Sequence, residues 1–271
     1  MCRLFGQRAD PHFDICEPLC GAANALRMQS HRHPHGWGIG WYQGGRPRLR
    51  RGLMPAHADE AFVRAARAAR SEIVVAHVRD ASIGPVSPEN THPFDHGRWL
   101  FAHNGTVARW RRSPPVRAAI EAEIDPWLRT LVAGDTDSER CFYLFLTRLR
   151  TRVALDGPAR LEEVRAALWE TARIVSRIAD PGAATRSSLN FLVSDGRLLA
   201  ACRRGRTLHF ARHARGGHLF AVASERIGQG DWETVPEGGF VGIDADLRVL
   251  AGPLRPYSRP LTAVPRGKRT S

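Results

Sequence analysis

With 271 residues, 43% of them hydrophobic, the chain can bury a substantial core, and its length favours one large domain. No apolar run approaches the roughly 20 residues that span a bilayer, and no charged stretch leads into an apolar segment and cleavage site, so a cytoplasmic protein without a membrane segment is expected. The formal charge of +13 invites a nucleic-acid reading, yet all but Lys268 of the 40 basic residues are arginines spread along the chain, which argues for solvated surface instead. Five cysteines without a C-x-x-C pair argue against a disulfide framework and against zinc, and nothing calls for a cofactor.

The chain opens on Cys2, which becomes the N-terminus once Met1 is removed. A thiol and a free amine then share one residue, and an amine of pKa about 7.7–8.0 is a neutral-pH base, so Cys2 carries its own proton acceptor. A short apolar strand, Leu4 to Gln7, follows, then helical spacing from Cys16 to Met28. The run His31, His33, His35 hints at a metal site, but Pro34 and Gly36 make it a loop with no neighbouring carboxylate. His35 to Tyr42 alternates small and large residues as a strand does, and lacks the G-x-G-x-x-G spacing of a dinucleotide site.

Residues 58–70 read as a helix. The β-branched run Ile73 to Val78 is a strand ending at Arg79, and Trp99 to His103 is a second, ending in a turn at Asn104-Gly105. Thr136 or Asp137 can cap a helix running to about 150, and Leu161 to Ile178 continues amphipathically. From Leu189 to Leu250 the pattern is one of short strands, with a hairpin turn at Asp195-Gly196. This order, without β-α-β alternation, points to a layered α+β fold. The expected domain covers residues 2–252, and 253–271 form a basic, proline-containing tail.

Several separated pieces, M-C-R-L-F-G at the start, H-G-W-G at 35–38, H-V-R at 77–79, E-N-T-H-P-F at 89–94, A-H-N-G-T at 102–106 and G-D-T-D-S-E at 134–139, resemble in order the class II, N-terminal-nucleophile glutamine amidotransferases, nearest to their stand-alone YafJ-type branch. The resemblance implies a four-layer αββα sandwich. It implies Cys2 as the nucleophile on a glutamine side-chain amide, passing through a γ-glutamyl thioester, and the Asn104 side chain with the Gly105 N–H as the oxyanion hole. Arg79 would hold the substrate α-carboxylate through its planar fork, Asp137 the α-ammonium, and Ser82 would stand for a substrate-contacting threonine. The family usually has an acidic residue where His35 stands. An N-G-T sequon and an ordinary turn are competing explanations for 104–106.

The expected activity is release of ammonia from glutamine, with any ammonia-accepting synthase a separate partner. Two alternatives remain: hydrolysis of a larger γ-glutamyl amide such as a thiol-pathway intermediate, and a non-catalytic, basic nucleic-acid-binding protein.

Overall fold

The computed structural model describes residues 2–9, 14–213 and 219–256. Two antiparallel sheets lie face to face. The first contains β1 (Arg3–Ala9), β2 (Trp37–Gln43), β3 (Arg46–Gly52), β4 (Ile73–Val78), β9 (His209–His213), β10 (Leu219–Ala223) and β11 (Glu233–Thr234), in the order β11-β9-β10-β1-β4-β2-β3. The second contains β5 (Phe94–His96), β6 (Trp99–Thr106), β7 (Ser188–Ser194), β8 (Leu199–Cys202), β12 (Gly239–Ile243) and β13 (Val249–Pro253), in the order β13-β12-β8-β7-β6-β5.

Alternation along the strands sorts their side chains into layers. Leu4, Ile73, Val75, Leu100, Ala102, Leu192 and Val241 fill the gap between the sheets. Phe5, Val74, Ala76, Trp37 and Ile39 face the opposite side of the first sheet, where α1 (Leu26–Gln29) and α2 (Glu60–Ala68) bury Leu26 and Phe62. Trp99, Phe101, Phe191 and Phe240 face away from the gap on the second sheet. Against them lie α3 (Pro114–Ala122), α4 (Pro126–Arg129), α5 (Asp137–Leu149) and α6 (Leu161–Ala179). The result is the helix, sheet, sheet, helix order expected of an αββα sandwich. No helix among the described residues is long and apolar enough to cross a membrane.

Three expectations are corrected. The helix expected over Cys16 to Met28 is broken into a π-turn, Glu17–Gly21, and the short α1, because Asn24 between them takes a left-handed φ of 57°. β6 does not stop at His103 but runs to Thr106, so Asn104 and Gly105 lie in a strand paired with β7 rather than in a turn. The fold also passes residue 252: Leu254 is buried, and the Arg165 guanidinium donates to the carbonyls of Leu254 and Arg255. The remainder of the expected tail, 257–271, lies outside the described residues.

Candidate active site

Cys2 precedes β1, the strand between β10 and β4, and so stands where antiparallel β4 ends; Arg3 pairs with Val78. Ser224 fixes this end of β1, its hydroxyl accepting from the Leu4 N–H and its own N–H donating to the Leu4 carbonyl, each at 3.1 Å. The Asp80 N–H donates to the Cys2 sulfur at 3.3 Å. Burial pushes the Cys2 thiol up, and this amide contact opposes the shift without cancelling it. A half-buried thiol raised in this way needs a base beside it to react at neutral pH.

Continuing each strand's alternation puts Cys2 on the side of Leu4, Arg79 on the side of Val75, and Asn104 on the side of Ala102, all three toward the gap between the sheets. Arg79 and Asn104 are each only 3% exposed. The Arg79 fork is not empty: Nη1 donates to the Pro85 carbonyl at 2.9 Å, and Nη2 to those of Ile83 at 2.9 Å and Gly84 at 3.3 Å. Arg79 therefore shapes the 80–91 loop. Asn90 ties that loop to the turn before α5, accepting from the Asp135 N–H at 2.8 Å and donating to the Pro85 carbonyl at 3.2 Å. Ser82 lies exposed on the loop.

The Gly105 N–H has a direction set by the ladder. Leu189, opposite Gly105, donates its N–H toward Arg204 on the β8 side, so Gly105 and Leu189 form a non-hydrogen-bonded pair. The Gly105 N–H then points to the other edge of β6, where β5 reaches only as far as Phe101. It is a strand donor that the sheet does not use. Asn104 supplies a second donor one residue away, on the side of the gap.

Asp137 opens α5 but does not cap it: the Thr136 hydroxyl accepts from the Glu139 N–H at 3.2 Å. One Asp137 oxygen, Oδ2, accepts from the Val107 N–H at 2.7 Å. The other is decided by a histidine. His103 Nε2 lies 2.9 Å from the Ser188 carbonyl, which can only accept, so this nitrogen carries the proton. Burial pushes His103 toward the neutral form, so Nδ1 accepts from the Ser138 hydroxyl at 2.9 Å. The single Ser138 proton is thereby spent, and Asp137 Oδ1, 3.3 Å from Ser138 Oγ, can accept from another donor beside the Ser138 N–H that also contacts this carboxylate. Burial raises the Asp137 carboxyl, with His103 working against the shift. A buried carboxylate in that condition gains from a cation.

The three loop histidines diverge. His31 stacks on His57 with ring centroids 3.8 Å apart, and His33 is buried and pushed down to about 4 by desolvation. His35 Nδ1 accepts from the Ala81 N–H at 3.1 Å and lies 3.3 Å from Asp80 Oδ1. Among the described residues no cluster of His, Cys, Asp or Glu could hold a metal ion. Reading the sequence missed Ser138, His103, Asn90 and Asp80 as parts of this site; the T-D-S-E, A-H-N-G-T and E-N-T-H-P-F segments contain the first three of them.

A model of the class II glutamine amidotransferases matches residues 1–223. The gamma-glutamyl-hercynylcysteine sulfoxide hydrolase of Mycobacterium tuberculosis is 32% identical over 81% of this chain and 80% of its own. The putative glutamine amidotransferase YafJ of Escherichia coli is 30% identical over 74% of this chain and 72% of its own. In shape, a glutamine aminotransferase class-II domain protein from Silicibacter pomeroyi superposes with a TM-score of 0.65 at 24% identity, over 94% of this chain and 100% of that one, which carries the fold. Cys2, Arg79, Asn104, Gly105 and Asp137 all fall within the matched stretch, on an αββα sandwich, and the chain belongs to the class II glutamine amidotransferases, a family of enzymes.

Proposed function

We propose that the chain hydrolyses γ-glutamyl amides, glutamine being the simplest, with Cys2 as nucleophile. The observation that carries this reading is the unused Gly105 N–H beside Asn104 on β6, with both Asn104 and Cys2 facing the gap between the sheets. Sulfur attacks the γ-carbonyl carbon, and the carbonyl oxygen becomes an oxyanion met by the Asn104 side-chain N–H and the Gly105 N–H. The thiol proton passes to the Cys2 amine, exposed by removal of Met1, and from there to the leaving nitrogen. Collapse of the tetrahedral intermediate leaves a γ-glutamyl thioester, and water, deprotonated by the same amine, releases glutamate. Arg79, through its charge and the two N–H donors that the three loop carbonyls leave over, and Oδ1 of Asp137 are assigned to the α-carboxylate and α-ammonium. Ser82, exposed on the loop that Arg79 organises, is assigned a contact at the rim.

A second reading is a larger leaving group than ammonia, supported by the relative named as a gamma-glutamyl-hercynylcysteine sulfoxide hydrolase. His35, anchored to Asp80 and Ala81 beside the nucleophile, is the residue by which this rim departs from the family's usual acidic one. A panel of γ-glutamyl amides read by mass spectrometry, with Cys2→Ala as control, tests both. Turnover of glutamine with lost activity in the control supports the first reading; turnover of only bulkier amides supports the second. No turnover of any member, or turnover surviving in Cys2→Ala, overturns the assignment. Tight, strongly salt-dependent nucleic-acid binding without turnover would favour the non-catalytic alternative.

A further inference from the structure

A cavity of about 480 Å³ opens next to the proposed glutamyl site without containing any of its assigned residues. Its walls are the 106–112 turn that follows β6, the 183–188 segment that leads into β7, and Arg206. Five arginines line it, Arg109, Arg111, Arg112, Arg186 and Arg206, and no carboxylate does among the described residues. Elsewhere the chain's arginines commonly meet acids, as Arg98 does Asp195, Arg140 does Glu121 and Arg148 does Glu123. Among the described residues only Arg109 of these five has its guanidinium engaged, at 3.0 Å from each of the Ile178 and Ala179 carbonyls at the end of α6. That contact neutralises a helix C-terminus and fixes the turn. Arg111, Arg112, Arg186 and Arg206 have no acidic partner among the described residues, and the buried Nε of Arg206 has no hydrogen-bond acceptor.

The walls are held independently of any ligand. Asp180 Oδ1 accepts from both the N–H and the hydroxyl of Ser187, at 2.8 and 2.6 Å, and the Ser187 hydroxyl accepts from the Ala108 N–H at 3.0 Å. Arg109, Arg111, Arg112 and Arg186 are exposed and Arg206 is half-buried, so cationic side chains surround a preformed cavity where an anion would offset their mutual repulsion, and the buried Nε of Arg206 lacks its acceptor. Guanidinium forks match phosphate oxygens two at a time. The volume suits a small molecule rather than a lone ion, since ligand pockets run from about 300 to 1,000 Å³. We propose that this cavity binds a small phosphate-bearing anion alongside the γ-glutamyl substrate.

The test is calorimetric titration of the full chain with inorganic pyrophosphate at low ionic strength. Binding should be saturable at one site and weaken by about tenfold or more in Arg111→Ala/Arg186→Ala, because each lost charge-assisted contact approaches a factor of ten. The control is Arg46→Ala/Arg48→Ala, which removes the same charge from two exposed arginines on β3, remote in sequence from the cavity. It should leave the affinity within about twofold. Absence of saturable binding overturns the proposal, as does equal weakening by the two pairs. An oligonucleotide that displaces pyrophosphate and depends equally on both pairs would also overturn it, by assigning the arginines to a general polyanion surface.

Discussion

Replacing Gly105 with alanine tests the oxyanion assignment and the sheet geometry together. A β-carbon here would overlap the Ser188 carbonyl oxygen and His103 Nε2, with the Ser188 carbonyl carbon 2.6 Å away, inside the 3.0 Å that real β-carbons keep. None of these atoms is the loose end of a flexible chain: Ser188 contributes β7 backbone, and His103 is held at both ring nitrogens. The two strands must therefore part, and the His103–Ser188 bond must open with them. Overpacking of this kind costs about 1–3 kcal/mol, and each kcal/mol lowers Tm by about 2–4 °C in a chain of this size. The chemical effect is larger. Displacing a reacting group by about 1 Å can cost about 100-fold, and losing one oxyanion donor costs about 10²–10³-fold in kcat. Gly252→Ala is the control, because nothing lies within 4 Å of a β-carbon there. Thermal melts and hydrolysis rates, taken well below Tm, should show Gly105→Ala melting lower and losing kcat, and Gly252→Ala unchanged in both. A Gly105→Ala protein with native Tm and native kcat would refute both the packing argument and the donor assignment.

Asp137→Asn should raise KM by about ten- to a hundredfold with kcat nearly kept, because only the charged bond to the α-ammonium is lost while the amide can still accept from Val107. The same change should raise Tm at neutral pH: the folded-state pKa is raised by burial, so the carboxylate costs stability above that pKa, and the gain should vanish below the unfolded value of about 3.9. Burial lowers His77 to about 3 and His33 to about 4, so both favour folding fully above the unfolded value of about 6.5 and lose that contribution as pH falls toward their folded values. Denaturant unfolding across this window should show stability falling with acidity, and His77→Leu should flatten the slope by up to about 1.4 kcal/mol per pH unit; an unchanged slope would exclude His77 as a buried neutral group. Arg79→Lys should raise KM and also open the 80–91 loop to proteolysis, since a lysine cannot reach the three carbonyls that the guanidinium holds. Finally, active protein should begin at Cys2, and a glutamine-mimicking electrophile should label Cys2 ahead of the partly exposed Cys16 and Cys20, whose thiols are raised by desolvation without an amine beside them; labelling of Cys16 first would count against the mechanism.

The parts of this molecule that were legible in its sequence are those where one residue type in one place is physically required. The β-branched run at Ile73 to Val78 reads as a strand because both its faces are buried, and α5 and α6 show their apolar period for the same reason on one face. By contrast β3, R-P-R-L-R-R-G, is an edge strand whose inward positions, Pro47 and Leu49, are only half-buried, so its alternation is faint in the sequence. In α3 only Val116 and Ile120 reach the core, and its start is hidden behind two prolines that sit acceptably in a first turn. The site divides in the same way. In the proposed mechanism Cys2, Arg79, Asn104, Gly105 and Asp137 would each supply a nucleophile, a donor or a charge that few other residues could supply. Their supports do not have that constraint. The chain Ser138 to His103 to Ser188 joins residues 35 and 85 positions apart, and Asn90 meets Asp135 across 45, so only the pairing of β6 with β7 and the docking of α5 bring them together. Each support has only to present a donor or an acceptor at the right point, a task that serine, asparagine, histidine or a backbone amide can share. The Ser138 proton shows why this matters: whether Asp137 Oδ1 is free for a substrate depends on which atom that hydroxyl faces, a property of the folded pairing rather than of the T-D-S-E segment.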